Sequence, residues 1–364
     1  MKIILLNNRK YWRNGWIGNE EELLFAVNVL RDADCQVEVK EVSTGEECER
    51  LLDQVSDDVL IWTNAYVLDN QQGDIVWLSD LVEIRSLPLV GSRAETLRRV
   101  IRKDICQGFL ANNGIPVPPG RVIRRSQVDS ILRELGSTAS AFPLVLKPTG
   151  EAGSRGVRMV RSHSELEREV QTCFNQFPES DVLLETFLPS DDVTCGFVQL
   201  GNEALLFPSY YLIEGAPGKS SILCQKARDL PWGDGLKTMQ VVCEEMALIQ
   251  LRRWIPEIVR VLAIRDVTRV DGRMDEEGTL RFFDVNGYPG LGFKESTGVA
   301  QIRAFYPDHN PVSVYTAYLH TVFASALLRY GLPQPTRMQD HNLFTLNGHG
   351  MIRHSLTAGS RSGD

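Results

Sequence analysis

The sequence contains no CxxC pair and no Cys/His spacing of the zinc type. Its seven cysteines (Cys35, Cys48, Cys106, Cys173, Cys195, Cys224 and Cys243) are odd in number and widely scattered. A disulfide framework and a structural metal centre are thereby excluded, and a reducing compartment is expected. There is no excess of positive charge: 39 Lys plus Arg stand against 47 Asp plus Glu, a net charge of −8. Neither nucleic acid nor an anionic membrane surface is then expected as the main partner. No apolar run reaches the length of a membrane span. The opening MKIILLNNRKYW turns polar too soon for a secretory signal, so a cytoplasmic protein is expected. Internal repeats and low-complexity segments are also lacking.

What remains is an ordinary composition, 43% hydrophobic over 364 residues, enough to bury a core and to form two or three cooperating lobes. The first ninety residues alternate strand and helix patterns: KIILL, a helix from about Glu20 to Arg31, QVEVKEV, a helix over GEECERLLDQV, VLIWTNA, a helix around WLSDLVEI, then PLVGS. Such alternation predicts a parallel sheet with crossover helices. Asn19 and Glu22 suit an N-cap and its reciprocal partner. A helix is predicted from about Ala94 to Ala111, stopped by NNGIPVPPG.

An α+β stretch follows: GRVIRR, a helix over QVDSILREL, the strand FPLVLKP, a Gly-rich turn, GVRMVR, a helix over SELEREVQTCF and the strand DVLLETF. Ser162 with Glu165, or Ser164 with Glu167, suits the cap of the second helix. The irregular IEGAPGKSSILCQKARDLPWGDG reads as a surface loop, since loops of that length are commonly lids or inserts. A helix is predicted over LKTMQVVCEEMALIQLRRWIPEI and another over PVSVYTAYLHTVFASALLRY. The residues from 341 onward read as a frayed tail.

In TRVDGRMDEEGTLRFFDVNGYPG two alternating apolar runs flank DEEG, the pattern of a β-hairpin. Centred there without a bulge, it sets Arg269 opposite Asp284 and Asp271 opposite Phe282. Arg269, Asp271, Asp284 and Asn286 then share one face, with Val270, Phe283 and Val285 on the other. Two carboxylates and an amide oxygen on one face repel unless a cation lies between them, and hard oxygen donors suit Mg²⁺ carrying phosphates. A solvent-facing strand accounts for the acids equally well when they are taken alone.

Lys147 ends an apolar strand and precedes GEAGSRG, where glycines let the backbone approach phosphate and donate N–H groups. The strand-loop-strand context separates it from a Walker A or dinucleotide loop, both of which open a helix. A ligand-free Gly-rich hairpin turn is the competing reading of that segment.

From about Leu89 to Gly290 these segments, in order and separation, resemble the ATP-grasp superfamily and most closely the D-alanine:D-alanine ligases. The resemblance implies an α/β protein with α+β lobes: an ATP-grasp fold behind an N-terminal Rossmann-like preATP-grasp domain. It divides the chain into residues 1–91, a central lobe 92–187, a C-terminal lobe 188–340 and a tail 341–364. It implies ATP as a substrate, held at its phosphates by Lys103 and Lys147 and covered by Gly153 and Ser154. Glu185 and the Leu188 backbone would read adenine, with Asp192 at the ribose. Two Mg²⁺ ions, or Mn²⁺ in their place, would sit on Asp271, Asp284 and Asn286, with Arg269 and the Gly290 N–H stabilising the tetrahedral intermediate.

The implied reaction joins a small-molecule carboxylate to an amine through an acyl phosphate, without nucleic acid or membrane, and dimerisation is a family expectation. Asp284 stands where the family has glutamate, Gly153 where the D-alanine ligases have serine, and their Tyr-x-x-Lys-Tyr loop has no counterpart. After Gly290 the chain reads LGFKESTGV, similar to the ribosomal-protein glutamate ligases. A substrate pair other than two D-alanines is implied, and Glu20 or Glu21 is the candidate partner for an amino-acid ammonium. A nucleotide-binding protein without ligase activity is the alternative from another class.

Overall fold

A computed structural model describes residues 1–8, 17–69, 75–136, 142–213, 222, 230, 232, 236–294 and 296–356. Its strands are β1 (Lys2–Asn7), β2 (Gln36–Glu41), β3 (Leu60–Thr63), β4 (Val67–Asp69), β5 (Ile75–Trp77), β6 (Gly120–Ile123), β7 (Leu144–Pro148), β8 (Arg158–Val160), β9 (Val182–Thr186), β10 (Asp192–Leu200), β11 (Glu203–Ile213), β12 (Lys237–Val241), β13 (Val267–Met274), β14 (Leu280–Asn286) and β15 (Ile352–Ser355). The helices are α1 (Glu20–Asp32), α2 (Gly45–Leu52), α3 (Leu78–Ile84), α4 (Ala94–Ile101), α5 (Lys103–Asn112), α6 (Val128–Gly136), α7 (His163–Gln176), α8 (Glu245–Val261), α9 (Thr297–Ala304), α10 (Pro311–Arg329) and α11 (Thr336–Asp340).

The N-terminal sheet is parallel, in the order β2-β1-β3. Strand β1 is apolar from Ile3 to Leu6 because both of its faces are covered. Ile3 and Leu5 pack toward α1 and α10, while Ile4 and Leu6 pack toward α2 and α3. Asn19 caps α1 by accepting from the N–H groups of Glu21 and Glu22. The short β4–β5 hairpin went unread in the sequence, and PLVGS contributes only a parallel bridge between Ile61 and Leu89.

A four-stranded antiparallel sheet, β6-β9-β7-β8, carries α6 and α7 over a separate core, with Ser162 as the cap of α7. The largest sheet is antiparallel, β12-β11-β10-β13-β14, with β15 on the far end of β11. One of its faces packs on α8 and the other on α10. Helix α10, at 19 residues, is long and apolar enough to cross a membrane by composition, yet most of its side chains are buried in the core.

Four expectations are corrected. The helix predicted from Ala94 to Ala111 is broken at Arg102, whose ψ of 97° is extended, because the Lys103 N–H donates to the Thr149 carbonyl (2.9 Å) instead of continuing the helix. The helix predicted over residues 236–258 starts only at Glu245. Its first part forms β12 against β11, where Thr238 and Val241 suit a pleated surface. Residues 341–356, read as part of a frayed tail, are packed: Leu343 is fully buried and β15 pairs with β11. The remainder of that tail lies outside the described residues, as does most of the predicted surface loop over residues 213–235.

The fourth correction is the hairpin register. Arg269 pairs with Asn286 and Asp271 with Asp284, and the register shifts between Asp271 and Gly272, where Gly272 pairs with Phe282. The five-residue turn Asp275–Thr279 moves the register by one residue, and the bulge at Phe283 moves it by one more. Two single shifts restore the same face, so Arg269, Asp271, Asp284 and Asn286 do lie together. The bulge also turns Phe283 to that side, against expectation, while Phe282, expected opposite Asp271, lies in the core with Val285.

Candidate active site between two sheets

A cleft opens where the four-stranded sheet faces the β13–β14 hairpin. Lys103, Lys147, Ser154, Glu185, Leu188, Asp192, Arg269, Asp271, Phe283 and Asp284 all line it. These residues come from distant parts of the chain, and each is delivered by a local feature. The break at Arg102 turns the Lys103 ammonium to the Glu151 carbonyl (2.8 Å) and to Asp284 (3.3 Å). Lys147 closes β7, next to β9, and its ammonium meets the Glu185 carboxylate at 2.5 Å. The bulge sets the Phe283 ring beneath that ammonium, 4.3 Å from centroid to nitrogen.

The loop from Gly150 to Val157 joins β7 to β8 as predicted, and Gly153, Ser154 and Gly156 all hold φ between 58° and 70°. Gly156 is required there: an added Cβ would lie 2.5 Å from the Phe177 ring. Glycines at such φ carry no Cβ penalty and let the backbone come close to an anion.

Every charge in the cleft is paired with another. Arg269 forks onto Asp271 (3.0 and 3.2 Å), and Thr194 donates to the same carboxylate (2.7 Å). Burial works to lower the Arg269 pKa, but Asp271 and Asp284 outweigh it, and the guanidinium is held above its ordinary value. Arg273 binds Asp192 through both nitrogens at 2.8 Å and also donates to the Leu188 carbonyl (3.2 Å). Charges so deeply desolvated persist only as hydrogen-bonded pairs.

Asn286 lies behind this row and donates to Asp271 (3.2 Å). Gly290 follows the NGYP turn, and its carbonyl accepts from Ser296, the cap of α9. Neither Asn286, Gly290 nor Gly153 is among the residues that line the cleft. No group of three His, Cys, Asp or Glu side chains forms a metal cluster among the described residues. The oxygen donors here are two carboxylates and one amide, a hard set that fits Mg²⁺.

The cleft has a volume of 90 Å³. Ligand clefts run to about 300–1,000 Å³.

Arg273, which lines the cleft, and two buried polar residues outside its lining, Glu22 and Gln107, escaped the sequence reading. Glu22, read only as a cap partner, is buried, and its carboxylate accepts from the Lys294 N–H (2.7 Å). Glu21 is exposed and reaches the Lys294 ammonium at 3.3 Å, and Glu20 is exposed as well. The signal was present, because Glu22 falls on the stripe of α1 that contains Ala26 and Leu30. Arg273 and Gln107 had no such signal. Gln107 donates to both Glu185 and the Phe283 carbonyl, joining the four-stranded sheet to the hairpin.

Known proteins are similar to this chain in sequence and in fold. The D-ala D-ala ligase C-terminus family matches residues 109–295, just over half of the chain. A D-alanine–D-alanine ligase of Aquifex aeolicus is 26% identical over 256 residues, 70% of this chain and 80% of its own. The uncharacterized protein y4sG of Sinorhizobium fredii is 24% identical over 225 residues, and the chain spans 64% of its length. Among solved structures, the D-alanine–D-alanine ligase of Bacillus anthracis superimposes with a TM-score of 0.65 at 17% identity, covering 91% of this chain and 99% of that one. The VanG D-Ala:D-Ser ligase of Enterococcus faecalis gives 0.63 at 15% identity, with 89% and 99% covered.

The fold is therefore ATP-grasp, and the protein is an ATP-dependent ligase that forms carbon–nitrogen bonds. More particularly, the chain belongs to the D-ala D-ala ligase C-terminus family.

Proposed function

We propose that this ligase activates an amino-acid-like carboxylate with ATP and passes it to an amine, and that the cleft described above is where it does so. The convergence of Lys103, Lys147, Ser154, Glu185, Leu188, Asp192, Arg269, Asp271 and Asp284 on one cleft carries the reading. In it the chain divides into residues 1–91, 92–187 and 188–340, with ATP held between the last two.

A carboxylate is a poor acylating centre. Its oxygen attacks the γ-phosphorus, the bond to the β-phosphate oxygen breaks, and ADP leaves behind an acyl phosphate. The amine then attacks the acyl carbon, and phosphate departs as the amide forms. Lys103 and Lys147 neutralise the phosphates, and Ser154 with the Gly153 backbone covers them. Leu188 reads the adenine edge and Asp192 the ribose. Glu185 accepts from the adenine amine once Lys147 has left it for phosphate.

Arg269 and the Gly290 N–H hold the oxyanion of the tetrahedral intermediate, the kind of preorganised charge that supplies most of such a barrier reduction. Asp271, Asp284 and Asn286 are the residues that would hold two Mg²⁺ ions, or Mn²⁺, whose chemistry there is to neutralise phosphate charge. Water exclusion by the glycine loop protects the acyl phosphate from hydrolysis. The reading includes a cytoplasmic location and assembly as a homodimer.

Amine-dependent ADP release over a panel of paired amino acids tests the activity. Asp271→Asn keeps the shape and one oxygen acceptor for Arg269; turnover is expected to fall by a factor of about 10²–10³, and the melting temperature to drop as well, because the buried guanidinium loses its counter-charge. Wild-type turnover in that variant sinks the assignment.

A further inference from the structure

Helix α5 runs along the join between the two walls of the cleft, and Lys103 and Gln107 stand one turn apart on one of its faces. Lys103 reaches the Glu151 carbonyl in the loop of the four-stranded sheet and the Asp284 carboxylate on the hairpin. Gln107 makes a second span of the same kind. Its amide nitrogen donates to Glu185 of β9 (2.5 Å) and to the Phe283 carbonyl of β14 (3.0 Å). Lys103 has a part in the proposed chemistry, whereas Gln107, buried and outside the lining of the cleft, has been given none.

Each of those two bonds answers a local need. Phe283 is the extra residue of the bulge, left out of the pairing between β13 and β14, and its carbonyl accepts from Gln107 instead. The buried Glu185 carboxylate is divided between two donors: Oε1 accepts from Gln107 and Oε2 from Lys147. Both atoms that the Gln107 nitrogen meets are acceptors, which fixes the orientation of the amide. The Phe283 ring lies 4.3 Å from the Lys147 ammonium. One amide thus holds, from outside the lining, both the carboxylate and the ring-bearing residue that flank Lys147.

We propose that Gln107 is a positioning residue that sets the selection of the nucleotide's base. By tethering Oε1 of Glu185 it keeps Oε2 directed at the cleft, as an acceptor for the 6-amino group of a purine once Lys147 has moved to phosphate. Without the tether the carboxylate turns both oxygens to the Lys147 ammonium, and neither is left for the amine. The inference rests on the assignment of Glu185 to adenine in the proposed function, and adds the residue that makes that contact selective.

Two nucleotides isolate the amine: ATP, and purine riboside 5′-triphosphate, which differs only in carrying hydrogen in place of the 6-amino group. Each is titrated calorimetrically, with Mg²⁺, against the wild-type protein and its variants. The wild type is expected to prefer ATP by about tenfold or more, the usual worth of a hydrogen bond to a charged group. Gln107→Leu, which has no donor, is expected to bring the preference below about threefold. Gln107→Asn, one methylene shorter and unable to span both acceptors, is expected to do the same and serves if the leucine variant does not fold. A Gln107 that only supports the fold would weaken both nucleotides by one factor, and a preference retained in either folded variant overturns the inference. Glu185→Met separates that failure from failure of the adenine assignment. A preference lost in Glu185→Met but kept in the Gln107 variants leaves the assignment standing and removes only the role of Gln107, whereas equal binding of the two nucleotides by the wild type, or binding of neither, removes both.

Discussion

At the scale of the residue, the charges of the cleft are held as ion pairs, which in the proposed function a nucleotide displaces. Lys147 and Glu185 are nearly inaccessible, with side chains 9% and 2% exposed. Removing the lysine alone leaves a buried carboxylate with Gln107 as its remaining donor among the described residues, so Lys147→Ala is expected to lower stability by about 3 kcal/mol or more as well as to abolish turnover. Chemical denaturation checks the first and ADP release the second; an unchanged denaturation midpoint would show that Glu185 has other support.

Arg273 acts through its neighbours. By holding the Asp192 carboxylate and the Leu188 carbonyl, it fixes both groups assigned to ribose and adenine. It is a positioning residue, and Arg273→Met is expected to raise KM for ATP about tenfold while kcat changes little, the signature of lost uniform binding. Loss of kcat at unchanged KM would move Arg273 into the chemical step.

At the scale of the element, the glycine loop sets the limits on what can cover phosphate. Gly153 and Gly156 both hold left-handed φ, but an added Cβ at Gly153 meets open space while one at Gly156 meets the Phe177 ring and the Pro148 ring at 2.5 and 2.8 Å. Gly153→Ala is therefore expected to cost about 1–2 kcal/mol from backbone strain alone. Gly156→Ala adds an overpacking cost of about 1–3 kcal/mol and displaces the loop. Thermal melts rank the two variants, and equal losses would show that packing under the loop yields freely.

The β13–β14 hairpin teaches a different lesson about elements. Period-2 alternation was enough to assign Arg269, Asp271, Asp284 and Asn286 to one face, because the turn and the bulge together shift the register by an even number. The same alternation exchanged Phe282 and Phe283: the bulge residue Phe283 joins the site face, and Phe282, expected opposite Asp271, lies in the core. That ring now forms the floor beneath Lys147.

At the scale of the molecule, the N-terminal and C-terminal parts are joined by buried polar contacts as well as by apolar packing. Asp266 is 1% exposed and accepts from the Gly91 N–H (2.7 Å), the Ser325 hydroxyl (2.8 Å) and Arg329 (2.5 Å). It also holds φ at 64°, which asparagine tolerates. Asp266→Asn thus isolates the charge, and it is expected to lower stability by about 3 kcal/mol and to speed proteolysis near Gly91. A proteolysis rate equal to wild type would assign the junction to apolar packing alone.

A second junction, between α1 and α10, is expected to respond to pH. Burial holds the His320 imidazole below its ordinary value of 6.5, with Nδ1 against the His341 carbonyl at 2.7 Å. A histidine depressed in the fold contributes stability in full above its unfolded pKa, and the contribution is lost as pH falls through and below that value. Melting temperature is expected to drop between about pH 7.5 and about pH 5, and His320→Gln is expected to flatten that slope. A variant slope as steep as wild type would assign the acid sensitivity to other groups.

The linear order of residues was sufficient for the parallel sheet at the N-terminus, the strand-loop-strand around Lys147, the shared face of the acidic hairpin and the family likeness. Each of these is a local matter, decided by side-chain periodicity and by which residues tolerate a turn. Tertiary contact decided the rest. Residues 237–241 became a strand because β11 offered an edge, the helix around Arg102 broke because Thr149 offered a carbonyl, and Glu22 was buried because the loop at Lys294 closed over it. The partner in every one of these cases lies tens to hundreds of residues away, where no local pattern carries its trace.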